Sequence, residues 1–401
     1  MSGTADLLPG RERALAEVDL GAIRHNVRRL MRDLPPGAAH CAVVKANGYG
    51  HGAVPAARAA LEAGSTWLGV ATASEAEELR DAGLGGPVII FGPLTGAELE
   101  RAARARADVV VWSEPFARVA LRLGARCHVK FNSGMGRLGV TEAEVRELAG
   151  LVASGVSPSG ASGPAPFVGL MSHFATADEA DTAFFEYQLG RFTALVRELK
   201  AAYPSLLCHT ANSAATLRSR AAHFDMVRTG IAMYGLAPSN DDPFKDDLRP
   251  AMRLSSYVAG VRTVEPGESV GYGRRFVAEA PARLAIVPIG YADGVSRALT
   301  NRGDALVAGR RCRIAGTISM DQLTVLLPDG HGAPGDEVVF FGEARTTPPS
   351  GARAPAEAPG ASGERILCEE VAQLLDTINY EIVCDVSPRV VRRYRGAGPA
   401  A

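Results

Sequence analysis

The chain has no surplus of charge, no clustered cysteine and no long apolar run. Lysine plus arginine number 43 against 44 aspartate plus glutamate in 401 residues, so no broad field of one sign exists to draw in a polyanion or a membrane surface, and no nucleic acid or membrane partner is expected. The six cysteines, Cys41, Cys127, Cys208, Cys312, Cys368 and Cys384, are widely scattered, with no C-x-x-C pair and no histidine at zinc-ligand spacing. Neither a disulfide framework nor a structural metal is therefore expected, and the cysteines in apolar strand-like runs read as buried free thiols. Nowhere do ~18 apolar residues run together. The opening MSGTADLLPGRERALAEVDL lacks the apolar core and small-residue cleavage site of a secretion signal, so the expected location is the cytoplasm. Aromatic residues make up only 6 %, yet 47 % of the chain is apolar, enough for two ordinary domains or one large barrel with an appendage.

What is present is a regular alternation. Eight short apolar, β-branched runs, at 40–44, 66–71, 87–92, 108–113, 127–132, 167–174, 206–210 and 225–230, are mostly followed by helix-patterned stretches. Three of these stretches open with a capping-box pattern, SEAE at Ser74, TGAE at Thr95 and TEAE at Thr141. Eight βα units over roughly 230 residues fit a (β/α)8 TIM barrel better than an open doubly wound sheet. The fold class is therefore α/β, an N-terminal TIM barrel with a C-terminal mostly-β domain, spanning 13–246 and 247–396. Residues 16–34 read as an amphipathic helix covering the barrel end ahead of strand one. Helical periodicity is lost at 237–250, and the runs beyond it alternate between strand-like and Gly/Pro-rich. The stretches 343–364 and 157–166, rich in Pro, Ala, Gly and Ser, read as mobile surface insertions.

In such a barrel chemistry sits where strands end. Lys45 follows strand one, Lys130 and Arg137 end and follow strand five, His173 ends strand six, Asn212 and Ser213 follow strand seven, and Arg228 with the Thr229-Gly230-Ile231 turn ends strand eight. A single His or Arg at a strand end is usually a packing residue, and Ser213 or Gly230 alone would be ordinary turn chemistry. So many polar residues on one rim point to a site. The loops after strands seven and eight commonly hold phosphate, and a lysine about a third of the way round suits a phosphorylated aldehyde cofactor bound to that amine. GMGRLG, 134–139, satisfies G-x-G-x-x-G, but it falls in the fifth unit and no strand-ending acid follows about twenty residues on, which disfavours a dinucleotide site.

The segments AVVKANGYGHG, KFNSGMGRLGV, SHFATAD, HTANSAA, RTGIAMYG, VGYGRRF, PIGYADG, GTISMDQ and INYEI follow one another along the chain. In kind and order they resemble those of the alanine racemases, pyridoxal 5'-phosphate enzymes of fold type III, from about Ala16 to Tyr394. The resemblance implies that Lys45 binds the cofactor and serves as acid/base on the D face, while Tyr272, lent by the other subunit of a homodimer, serves on the L face. A planar carbanion reprotonated from one face only returns the starting enantiomer, so racemisation needs two opposed groups. Lysine and tyrosine have reference pKa values near about 10, and a base of either kind needs burial or nearby cations to work near neutrality.

Arg228 would donate to the pyridine nitrogen and weaken the ring as an electron sink. His173 and Arg228 would support Tyr272. Ser213, the Gly230 and Ile231 amides, and the Tyr49 and Tyr380 hydroxyls would hold phosphate, with Asn212 beside them. Arg137 and, reaching across the dimer, the Met320 amide would meet the alanine carboxylate, and Tyr291 would line the approach from the partner. Lys130 is similar to a position that some members carry as an N-carbamate. Two positions depart from the common pattern: Asn132-Ser133 replaces an Asp-Thr pair, removing a negative charge near Lys130, and Ser319 stands where cysteine is frequent. The activity implied is interconversion of L- and D-alanine, supplying D-alanine for peptidoglycan. A racemase of broader or different specificity, such as serine, remains open, as does a decarboxylase, which would need an acid in place of Arg228. A non-catalytic cofactor-binding protein would have lost Lys45 or Tyr272.

Overall fold

The structure is a computed structural model that describes residues 12–154, 167–345 and 364–396. It divides into two compact units, 20–249 on one side and 250–401 with the residues up to Asp19 on the other.

The first strand, β1 (Leu15–Asp19), belongs to the second unit. Helix α1 (Leu20–Met31) follows it directly. The first unit then lays down β2 (Ala39–Val43), β3 (Trp67–Val70), β4 (Val88–Ile90), β5 (Asp108–Val111), β6 (Cys127–Lys130), β7 (Phe167–Met171), β8 (Leu207–His209) and β9 (Met226–Thr229). All neighbours pair parallel, in the order β8-β7-β6-β5-β4-β3-β2-β9. The last seam, β8 against β9, is closed by the Asp225 and Arg228 amides donating to the Cys208 and Ala211 carbonyls at 3.0 Å each. The result is a (β/α)8 TIM barrel. Strands covered on both faces need apolar residues on both, and β3 to β6 are buried throughout. Each strand stops short of its apolar run, so His173, Asn212 and Gly230 stand in loops just past the strand ends.

Between the strands run α2 (Lys45–Tyr49), α3 (Ala53–Glu62), α4 (Ala73–Asp81), α5 (Gly96–Arg104), α6 (Glu114–Arg122), α7 (Glu142–Ser154), α8 (Ala183–Ala202) and α9 (Ser213–Arg218). Capping boxes close α5, through Thr95 and Glu98, and α7, through Thr141 and Glu144. The box expected at Ser74 lies two residues earlier: Thr72 caps α4 and Glu75 returns to the Thr72 amide. The Glu77 carboxylate, the partner expected for Ser74, instead accepts from Arg101 Nε at 3.0 Å.

Three expectations about the start of the chain are corrected. Residues 16–34 are not one helix, because β1 pairs antiparallel with β10 (Met252–Tyr257) and parallel with the strand Val391–Arg395, and only from Leu20 does the chain turn helical. That pairing also moves the expected boundary at residue 13 to residue 20. Nor does α1 cap the barrel end. It packs against α3 and the 3-10 turn Ile231–Tyr234, where Asn26 Nδ2 donates to the Met233 carbonyl at 3.2 Å. It thereby fills the place in the outer ring that a helix after β9 would take.

The second unit is mostly β. Its larger sheet runs 310–313, 304–307, 337–343, β10, β1, 391–395, a smaller sheet joins 260–264, 282–287 and 323–327, and two short helices, Cys368–Leu374 and Asn379–Cys384, complete it. Of the two expected insertions, 157–166 lies outside the described residues, as does 346–363. The ends of the second are ordered: Glu343 closes a strand and the Ala344 amide donates to the Glu364 carbonyl at 3.0 Å. Five of the six cysteines are buried free thiols and Cys384 is exposed. Among the described residues no helix is long and apolar enough to cross a membrane.

Candidate active site

Lys45 opens a turn that the sequence marks only by its glycines. Ala46, Asn47, Gly48 and Tyr49 all take left-handed dihedrals, with φ between 52° and 61°. Three of these four are not glycine, and each non-glycine residue there costs about 1–2 kcal/mol, so the surroundings must hold the turn in place. Glu75 accepts the Ala46 amide at 2.6 Å, and Asn47 Oδ1 accepts the Ala53 amide at 3.1 Å. Beneath the turn, His51 stacks on Tyr234 with centroids 4.4 Å apart, and Tyr234 donates to the Val43 carbonyl at 3.1 Å. Sequence reading missed Glu75, His51 and Tyr234. The GYGH stretch was the available signal for His51, whereas Glu75 and Tyr234 reach the turn from 29 residues downstream and from a different loop.

On the opposite side of the β2–β9 pair, Asn212 caps α9 by accepting the Ala215 amide, and Ser213 Oγ accepts the Gly230 and Ala232 amides at 3.0 and 3.3 Å. A Cβ on Gly230 would collide with the Tyr49 hydroxyl. Glycine at 230 is thus needed for space, and it brings Tyr49, Ser213 and the start of the Ile231–Tyr234 turn to one place. The Gly230 amide is engaged by Ser213 rather than pointing free.

Arg228, buried in β9, donates to His209 Nδ1 at 2.7 Å through Nη1, and through Nη2 to the carbonyls of Ser172 and Thr210 at 2.9 and 3.1 Å and to His173 Nδ1 at 3.2 Å. All four acceptors are neutral, so no carboxylate offsets this cation by direct contact. Burial brings its guanidinium down to about 10. Lys130, buried at the end of β6, is pushed down to about 8 by burial and by the positive charges of Arg228, Arg137 and Lys45. Burial and the same cations hold His173 well below the ordinary histidine value, hence neutral. Lys45, Lys130, Arg137, His173 and Arg228 therefore share one field, positive throughout, suited to an anionic ligand.

Arg137 is exposed on the 132–139 loop, which Asn132 organises by accepting the Gly134 and Gly136 amides at 3.2 and 3.0 Å. That loop is not a dinucleotide cradle: the Phe131–Val140 bridge closes it on itself before α7 begins at Glu142.

The remaining expected residues lie in the second unit. Tyr272, flanked by Gly271 and Gly273, opens the one-turn 3-10 segment Tyr272–Arg274 and is 73 % exposed. Its carbonyl accepts from Thr317 Oγ1 at 2.6 Å. Tyr291 and Met320, 42 % and 51 % exposed, sit on two loops stitched together where the Tyr291 and Ala292 amides donate to the Ser319 and Met320 carbonyls at 3.1 Å each. Beneath them Arg389 bridges Asp293 and Asp321 at 2.7 Å each. Tyr380 is half-buried in the last helix.

A parallel barrel with a lysine-bearing turn after its first strand and a buried arginine in its last, continued into a separate β unit, defines a two-part barrel enzyme. The family profiles described as "Alanine racemase, N-terminal domain" and "Alanine racemase, C-terminal domain" match residues 18–238 and 251–358. The chain is 40 % identical to the alanine racemase of Symbiobacterium thermophilum over 97 % of its own length and 99 % of the relative's, and 40 % identical to that of Mycolicibacterium smegmatis over 99 % of each. Among solved structures it is similar to alanine racemase from the D-cycloserine producing Streptomyces lavendulae, with 38 % identity, TM-score 0.84 and coverage of 96 % and 98 %. It is also similar to alanine racemase from Bacillus anthracis with bound L-Ala-P, at 36 % identity, TM-score 0.81 and 96 % of each chain. The chain belongs to the alanine racemase family.

Proposed function

We propose that the protein interconverts L- and D-alanine with pyridoxal 5'-phosphate, by proton transfer at Lys45 and Tyr272 on opposite faces of the cofactor, in a cytoplasmic homodimer that supplies D-alanine for peptidoglycan. The observation that carries this reading is Arg228: a buried cation with only neutral hydrogen-bond acceptors, in the same field as Lys45. A decarboxylase of this fold class would call for an acid there.

The residues present fit the cofactor. Ser213 Oγ, the Tyr49 hydroxyl and the tight approach at Gly230 suit a phosphate, with Ile231 and Asn212 beside them; the Tyr380 hydroxyl is added only by the family resemblance. Arg228 suits a ring nitrogen that accepts a hydrogen bond. When bound, the cofactor supplies the electron sink that makes the alanine Cα–H removable.

Lys45 Nζ would anchor the cofactor and would take or return the proton on the D face. Tyr272 Oη of a second copy would do so on the L face. Its exposure in the second unit, together with that of Tyr291 and Met320, supports a role completed by assembly. Arg137 and the Met320 amide would hold the substrate carboxylate, and His173, kept neutral, can accept from or donate to its neighbours without adding to the positive charge. Lys130, with its amine brought down to about 8, would take up carbon dioxide in its neutral form, releasing one proton and leaving a carbamate anion to pair with Arg137.

Chiral analysis of products over several amino acids tests the reading. L- and D-alanine should interconvert, with serine much slower. Tyr272→Phe should remove solvent exchange of the Cα hydrogen chiefly from L-alanine. Carbon dioxide release, or equal loss of exchange from both enantiomers, would refute it.

A further inference from the structure

A buried row of side chains runs from Arg228 across the barrel to the start of β5. His209 lies next to Arg228, His209 Nε2 is 2.9 Å from His128 Nδ1, His128 Nε2 is 3.2 Å from Asp108 Oδ2, and Asp108 Oδ1 is 3.2 Å from Arg126 Nε. His128, His209, Asp108 and Arg228 are all buried. We propose that Asp108 is a positioning residue for Arg228, acting through the fixed tautomers of His128 and His209. The proposal rests on the assignment of Arg228 to the cofactor ring.

The argument is one of donors and acceptors. A guanidinium only donates and a carboxylate only accepts, so the two ends of the row impose one polarity on it. His209 Nδ1 must be bare to accept from Arg228, which places its proton on Nε2, directed at His128 Nδ1. His128 in turn carries its proton on Nε2, directed at Asp108. Burial and the neighbouring Arg228 hold His209 far below the ordinary histidine value, in keeping with a neutral acceptor.

The fold makes room for this row. Gly169 in β7 has no left-handed backbone to justify a glycine, yet any Cβ there would overlap the His128 ring. Trp67 meets the same ring edge-on at 5.7 Å. The arrangement gives Arg228 an anchor on Nη1 that no negative charge in direct contact supplies, so its orientation is fixed while its own charge stays unneutralised.

Asp108→Asn tests it. Beside Arg126, the amide oxygen turns toward the guanidinium and the NH2 toward His128 Nε2, which reverses the row and brings a His209 Nδ1–H against Arg228. An aspartate-to-asparagine change that inverts an imidazole tautomer is a known route to large losses of activity. Imidazole nitrogen resonances of the 15N-labelled full chain, read without cofactor, should show Nε2–H at both histidines in the wild type and Nδ1–H in Asp108→Asn. With cofactor, kcat should fall about tenfold or more in both directions with KM within about twofold. Adding Arg126→Met to Asp108→Asn frees the amide oxygen to face His128 and should restore both the Nε2–H pattern and kcat, a rescue that a merely structural role would not give.

A wild-type His209 carrying Nδ1–H overturns the proposal without any variant, as do unchanged tautomers in Asp108→Asn, or reversed tautomers with unchanged kcat. Arg228→Gln racemising as fast as wild type would instead sink the assignment of Arg228 to the cofactor ring, and with it any catalytic part for the row.

Discussion

Lys130 shows how a single side chain records its surroundings. Burial, and after it three positive neighbours, lower its amine from 10.5 to about 8, so its charged form is disfavoured in the folded protein and native and unfolded chains differ in bound protons between those values. The unfolded chain binds the extra proton there, so this group's contribution to stability rises with pH from about 8 toward 10.5, and its penalty is fully present below about 8. The same shift sets its reactivity. At fixed total carbonate, the 13C carbamate resonance formed from labelled bicarbonate should grow up to about pH 8 and then level off, and it should vanish in Lys130→Ala. Growth continuing to pH 10 would mean an ordinary exposed lysine. At this scale the sequence was legible where a residue stood at a strand end: Lys45, Lys130 and Arg228 needed only the barrel pattern and the family's motifs. Glu75, Tyr234 and the His128–His209 pair were not legible, since their roles arise from contacts between segments that no local pattern links.

At the scale of elements, the apolar period identified all eight barrel strands but overran their ends, because apolar residues such as Phe131 and Phe174 continue past the last ladder bonds to pack beneath the loops. Caps were legible in kind and less so in place. TASE and SEAE overlap from residue 72 to 77, and only the turn geometry selects Thr72. The distinction can be measured. Thr72→Ala should cost about 1 kcal/mol in denaturant unfolding, whereas Ser74→Ala should leave stability within about 0.5 kcal/mol. The same pair should separate in activity, because Glu75, placed by the Thr72 box, also accepts the amide next to Lys45. Equal effects at 72 and 74 would mean that the two registers of the cap are both populated.

For the whole molecule, the proposed sharing of sites gives a test that no single chain can pass. Lys45→Ala and Tyr272→Phe should each be inactive alone. Dimers refolded from an equal mixture should recover about a quarter of wild-type activity, since half are mixed and each mixed pair holds one intact site. No recovery would place both groups within one subunit.

Residues 15–19 lie alongside 391–395 in one parallel pair, with the entire barrel strung between them. During synthesis one edge of the earliest-made described strand can pair with β10, but the other must wait for the last-made strand, while the barrel in between can close from neighbouring segments as they emerge. Deleting either 15–19 or 391–395 would unravel the β unit while sparing the barrel, leaving a protein that still presents Lys45 but no longer holds the proposed phenol of Tyr272 in place.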